Sequence, residues 1–183
     1  MPRDPEAREK WLLKKDLKLY KKYLRKASNK GDMIATFKLA MHSLHSTHEN
    51  NNFGIALMEK LIKCQNEVIR LRSSYEYGKM LFEGKPIKED QKKGMLLLLK
   101  TARRYKKYFD VYFDGNNKMR IKQMAEDAPH YFHARKCLIY IRKACNYITS
   151  TTNIHLTLDE NEQKKIKCII ENNENLVQTA KPT

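Results

Sequence analysis

Chain breakers are scarce in this sequence: 183 residues contain only six glycines and five prolines. Leucine, lysine, methionine, alanine and glutamate are plentiful, and few positions interrupt a helix, so composition implies an all-α fold. Cysteine is sparse too. Cys64, Cys137, Cys145 and Cys168 are widely spaced and form no Cys-x-x-Cys pair, which argues against a secreted disulfide framework and for reduced, mostly buried thiols. No apolar run approaches the roughly 20 residues needed to span a bilayer; the longest block is residues 95–99. Phosphate loops, nucleophile elbows and paired carboxylates on an apolar helix face are missing as well. The N-terminus, Met-Pro-Arg-Asp-Pro-Glu, introduces acids at once, unlike a signal or transit peptide. The expected location is cytoplasmic, with mitochondrial import without a cleaved presequence as the alternative.

What the chain does carry is helical periodicity, enough for about seven helices and a sizeable core. Asp4-Pro5 starts a helix to about residue 27, striped by Leu13, Leu17, Tyr20, Leu24 and Ala27. Asp32 and Asn52 are placed to cap the second and third helices, the third ending near Cys64. Further helices are expected near 67–83 and 90–112, then from Pro129 to about residue 147. Asp114-Gly115-Asn116-Asn117 reads as a turn and 149–153 as a polar loop. Asp159 caps a last helix with Ile166, Ile169 and Ile170 on its apolar face.

Residues 74–102 are the most informative stretch. Gly78 interrupts an apolar pattern where a missing Cβ allows close helix approach, Gly84 and Pro86 end that helix, and Asp90 caps the next. Met95, Leu98, Leu99 and Ala102 then recur at helical spacing. In the order and spacing of Gly78, Gly84, Asp90 and Ala102, the stretch resembles a Sel1-like repeat, a relative of the tetratricopeptide repeat. Leu81 stands where that family has an aromatic residue, and Gly94 replaces the usual small residue of the second helix.

A single repeat cannot bury its own face, so a second copy is expected. A shift of 38 residues supplies one without a gap: Leu39-Ala40 falls on Tyr77-Gly78, Leu44 on Phe82, Ala56 on Gly94 and Leu61 on Leu99. The resemblance implies antiparallel helix pairs stacked as a short α-solenoid, an α-α superhelix. The expected organisation is an N-terminal basic helix over residues 1–30, a Sel1-like helical repeat domain over 31–177 and a frayed tail over 178–183. On the first helix of the clear repeat, Tyr75, Lys79 and Phe82 are expected to line a partner-binding groove.

Charge speaks to partners. Lysine and arginine total 37 against 21 acids, a net of +16, and residues 146–183 hold more acids than bases, so the excess lies upstream. Two clusters interleave tyrosines with bases: Lys21, Lys22, Arg25 and Lys26 around Tyr20 and Tyr23, and Arg103, Arg104, Lys106 and Lys107 around Tyr105 and Tyr108. Bases neutralise phosphates and exposed rings stack on unpaired bases, so RNA is a candidate partner; a lysine face whose tyrosines pack inward is the structural alternative. Leu19-Tyr20-Lys21 is also similar to the LYR motif of small mitochondrial accessory and assembly proteins, with Lys for Arg.

Catalytic groups are dispersed. His42, His45 and His48 form a three-residue ladder that could bridge a metal in pairs, but no acid or cysteine completes a ligand set and histidines suit a helix C-terminus. His130 and His133 flank Tyr131 beside Pro129 and read as a packed helix start. The expectation is therefore no enzyme, metal or cofactor. The resemblance implies a non-catalytic helical-repeat adaptor or structural subunit mediating protein–protein contacts in a larger assembly. The alternative is a basic structural subunit of a ribonucleoprotein particle, such as a mitochondrial ribosome, contacting RNA.

Overall fold

The structure, a computed structural model, describes residues 5–46, 51–112, 128–151 and 160–171. Among these residues there are eight helices and no strand, so the fold is all-α. The chain divides into two compact units, Met1–Cys64 and Gln65–Thr183, rather than after residue 30. The turn at 114–117, the Asp159 cap, the apolar face at Ile166, Ile169 and Ile170 and the tail after 178 lie outside the described residues or side chains.

In the first unit, α1 (Pro5–Asn29) closes with the Lys30 and Asp32 amides donating to the Ala27 carbonyl at 3.0 and 3.1 Å. Gly31 turns the chain at φ +90°, a conformation that favours glycine. Asp32 then caps α2 (Met33–Leu44), its Oδ1 accepting the Ile34 and Ala35 amides at 2.8 and 2.9 Å. α3 (Asn51–Leu61) follows, with Asn52 inside its first turn rather than capping it. Leu24, Ala35 and Leu39 are buried together, with Ala27 and Leu57 against them, so the basic helix shares a core with α2 and α3. Only part of its stripe is covered: Leu24 is 7% exposed, whereas Leu17 is 53% and Tyr20 44% exposed.

In the second unit, Asn66 Oδ1 accepts the Ile69 amide at 3.2 Å and caps α4 (Glu67–Glu83). Gly84, at φ +67°, ends it. Asp90 accepts the Lys93 amide at 2.9 Å to cap α5 (Gln91–Ala102). The helix expected to run through 112 breaks at Arg103-Arg104, and α6 (Tyr105–Tyr112) begins anew. α7 (Ala128–Thr151) continues through the first residues of the expected polar loop, and α8 (Glu160–Glu171) completes the unit. Leu71, Leu98, Ala102, Tyr105, Tyr108, Phe109 and the inner face of α7, from Cys137 to Ile148, form one core.

The internal contacts of α2/α3 and of α4/α5 follow one plan, with a register that the ungapped shift misses. A Cβ on Gly94 would lie 2.7 Å from the Gly78 carbonyl oxygen and 2.7 Å from the Phe82 amide nitrogen. A Cβ on Gly54 would meet Leu44 Cγ at 2.6 Å and the Ala40 carbonyl oxygen at 3.1 Å. Ala40 and Leu44 correspond to Gly78 and Phe82 at the 38-residue shift, but their partner is Gly54, not Ala56. For the second helices the offset is therefore 40, which aligns buried Gly54, Met58 and Leu61 with buried Gly94, Leu98 and Thr101. The ungapped shift would instead pair fully buried Met58 with Leu96, which is 60% exposed. The connection holding Gly84, Pro86 and Asp90 accounts for the two extra residues.

Candidate partner-binding groove

Within the first unit the end of α1, the Gly31 turn, α2 and α3 border an open cavity of about 540 Å³. Leu39 and Leu57 belong to the adjoining core cluster and give it an apolar side, and Phe53 extends that surface toward solvent at 44% exposure. Arg25 and Lys60 are the charged lining residues, with Ser28, Asn29 and Gly31 completing the wall. The Arg25 guanidinium lies 5.9 Å from the Phe53 ring centroid, so one arm of the basic rim rests on the aromatic face. Ser28 Oγ lies 2.8 Å from Thr36 Oγ1, and that hydroxyl donates to the Asp32 carbonyl at 2.7 Å, tying the wall to the turn that shapes it. Among the described residues no carboxylate lines the cavity. The lining thus combines apolar side chains with two cations.

The groove expected at Tyr75, Lys79 and Phe82 is filled by α7. Phe82 meets Tyr147 edge to face at a centroid separation of 6.1 Å, and Lys79 Nζ stands 5.6 Å from the same ring. Lys143 Nζ lies 5.8 Å from the Tyr75 ring. Tyr147 donates its hydroxyl to Glu83 Oε1 at 2.8 Å, and Lys79 pairs with that carboxylate at 3.7 Å. Burial and the Glu83 carboxylate push the Tyr147 phenol up to about 12, so it stays a proton donor at neutral pH. Tyr75 and Phe82 on α4 thus pack against a helix some 60 residues onward.

The two basic clusters belong to different units and differ in kind. On α1, Lys22, Arg25 and Lys26 are exposed, Lys21 is half-buried, and Tyr23 is 66% exposed. In the other cluster, Arg103, Lys106 and Lys107 are exposed and Arg104 half-buried, but Tyr105 and Tyr108 are 2% and 5% exposed and belong to the core. They cannot stack on nucleic-acid bases. Tyr105, Tyr108 and Phe109 fall at i, i+3 and i+4, the spacing of a core stripe, which is the signal that identifies them.

Lys107 is also committed elsewhere, to a residue that the sequence did not single out. Its Nζ donates to Glu67 Oε2 at 2.7 Å, and Arg70 lies 3.4 Å from Glu67 Oε1. Burial raises the Glu67 carboxyl, but Lys107, the nearby Tyr108 hydroxyl and Arg70 outweigh it and hold the pKa below its ordinary value. Burial and the Glu67 carboxylate push the Tyr108 phenol well up, and burial raises the Cys137 thiol. Because the folded pKa of Glu67 is depressed, this node stabilises the unit above the ordinary carboxylate range and loses that contribution as pH falls through the folded value. Lys107→Met should leave the buried carboxylate with only Arg70 as a cation and cost about 1–3 kcal/mol at pH 7. That difference should shrink toward pH 3 in urea denaturation; a difference that stays constant with pH would contradict the assignment.

All four cysteines are free, and burial pushes the Cys145 thiol up to about 12, the opposite of an activated nucleophile. His42 Nδ1 is buried without a hydrogen-bond partner, His45 is exposed at the end of α2, and His48 lies outside the described residues. His133 is exposed, and the His130 side chain is outside the described set. Among the described residues no three His, Cys, Asp or Glu side chains gather as metal ligands would, and no helix is long and apolar enough to cross a membrane. Compared with known proteins, the chain matches no family model, no curated protein and no solved structure.

Proposed function

We propose that this chain is a non-catalytic helical-repeat adaptor or structural subunit, akin to Sel1-like proteins, that mediates protein–protein contacts in a larger assembly. The observation that carries this reading is where its apolar surface is left open. Of the large hydrophobic residues exposed among the described residues, Leu17, Leu19, Tyr20, Tyr23, Ile34 and Phe53 lie in the first unit, and only Leu96 lies in the second. These side chains leave apolar area in the first unit for a partner to cover. The shared contact plan of the two helix pairs supports the repeat reading, since repeat proteins present binding surfaces made of several helices. In native lysate the tagged chain should migrate in an assembly far larger than its 21.7 kDa, and that assembly should survive ribonuclease. Migration as a free monomer would overturn the proposal.

The exposed tyrosines and bases of α1 sustain the ribonucleoprotein reading as the second possibility. Reversing Lys106 and Lys107 would confound RNA contact with loss of the Glu67 pair, so the test reverses Lys22 and Lys26, exposed on α1 beside Tyr23. If that surface touches RNA, the double reversal should weaken binding of single-stranded RNA and lower its salt slope by about two phosphate contacts. Unchanged binding and slope would remove that surface from consideration.

A further inference from the structure

We infer that the first-unit groove is a docking site for an acidic protein segment that carries an apolar anchor side chain. The inference rests on the adaptor reading and names the chemistry of the partner that this groove selects. The cavity, about 540 Å³, falls inside the roughly 300–1,000 Å³ range of binding pockets. Leu57 and Phe53 offer apolar surface without a hydrogen-bonding group at their side-chain tips, beside the buried Leu39, and an apolar side chain suits the space between them. Both charged residues among the described lining are cations. Arg25 and Lys60 line the cavity, and residues 17–29 of α1 carry five bases and no acid. An occupant with flanking carboxylates meets complementary charge there, while a basic segment is repelled. Ser28 and Asn29 supply polar groups at the wall for an incoming backbone.

Single-stranded RNA shares the negative charge but fits the floor less well. The Phe53 face that would stack on a base is engaged by Arg25, and the remaining floor is aliphatic. Charge complementarity and an aliphatic floor together favour the protein segment.

The test measures fluorescence anisotropy with the full chain and a labelled twelve-residue peptide in which Asp and Glu flank two leucines one helical turn apart. Three competitors accompany it: the same peptide with both leucines changed to alanine, the same peptide with lysines for the acids, and a twelve-nucleotide oligouridine. The expected result is saturable binding of the acidic, leucine-bearing peptide, weakened about fivefold or more by either peptide change. Arg25→Glu with Lys60→Glu should weaken it by about tenfold, and Phe53→Ala by about fivefold. Lys88→Glu with Lys92→Glu makes the same change in net charge on exposed positions of the other unit and should alter affinity by less than about twofold. Thermal melts of all variants confirm that folding is retained.

Equal losses in the groove and control pairs would reduce the effect to net charge and overturn the proposal. So would absence of peptide binding, or groove-dependent binding of oligouridine in preference to the peptide. If the chain still resides in a ribonuclease-resistant assembly when the peptide fails, the docking chemistry is wrong and the adaptor reading stands. If the chain binds the peptide through the groove but is monomeric in lysate, the docking chemistry stands and the adaptor reading is wrong.

Discussion

Replacing Gly94 by alanine should destabilise the second unit by about 1–3 kcal/mol, although alanine in a helix interior is ordinarily worth about 1 kcal/mol over glycine. The new methyl would stand 2.7 Å from both the Gly78 carbonyl oxygen and the Phe82 amide nitrogen. These are backbone atoms in the opposing helix, and no side-chain rotation relieves the clash. Only separation of α4 from α5 does, and that loosens Leu98 and Ala102 in the shared core. Gly78→Leu should overpack the same contact, its Cβ lying 3.1 Å from the Gly94 carbonyl oxygen. Gly54→Ala is the useful contrast, because its closest neighbours are atoms of the Leu44 side chain, and it should cost less than Gly94→Ala. For a chain of this size each kcal/mol moves Tm by about 2–4 °C. A Gly94→Ala variant with a raised or unchanged Tm would show that the helices do not meet there.

Ile141→Ala should be at least as damaging, at about 2–5 kcal/mol. Ile141 is fully buried, and it lies in the same core as Leu71, Leu98 and Tyr105. The magnitude decides between two pictures of α4. If α7 covers the face that carries Tyr75 and Phe82, truncating Ile141 leaves a cavity in the centre of the unit. If that face were an open groove with α7 peripheral, the same truncation would cost little. Chemical denaturation of the variant distinguishes them, and a loss below about 0.5 kcal/mol would favour the open groove.

What the sequence disclosed and what it hid divide along the range of the interactions. Asp32, Gly84 and Asp90 were legible because capping and left-handed termination are decided within four residues of the chain. Gly78 was legible as a close approach, since glycine within a helix pattern needs a packing reason. Its partner was not placed correctly: the 38-residue match holds for the first helices but hides two extra residues in one connection, and only the Gly54 and Gly94 contacts reveal the offset of 40. The helix break at Arg103-Arg104 carried no glycine or proline to announce it. Tyr105 and Tyr108 looked like stacking rings because lysines flank them, while their spacing with Phe109 marked a core face. Glu67 with Lys107, and Arg25 with Phe53 and Lys60, join residues from separate helices. Such pairings depend on packing, and no local pattern encodes them.

The proposed function requires that the chain present its first unit to protein partners. Hydrogen–deuterium exchange compares the free chain with the chain captured in its native, ribonuclease-treated assembly. Slowed exchange is expected over residues 17–30 and 53–60, with the α4, α5 and α7 core unchanged. Protection confined to 103–108, or protection that disappears with ribonuclease treatment, would contradict the proposed function.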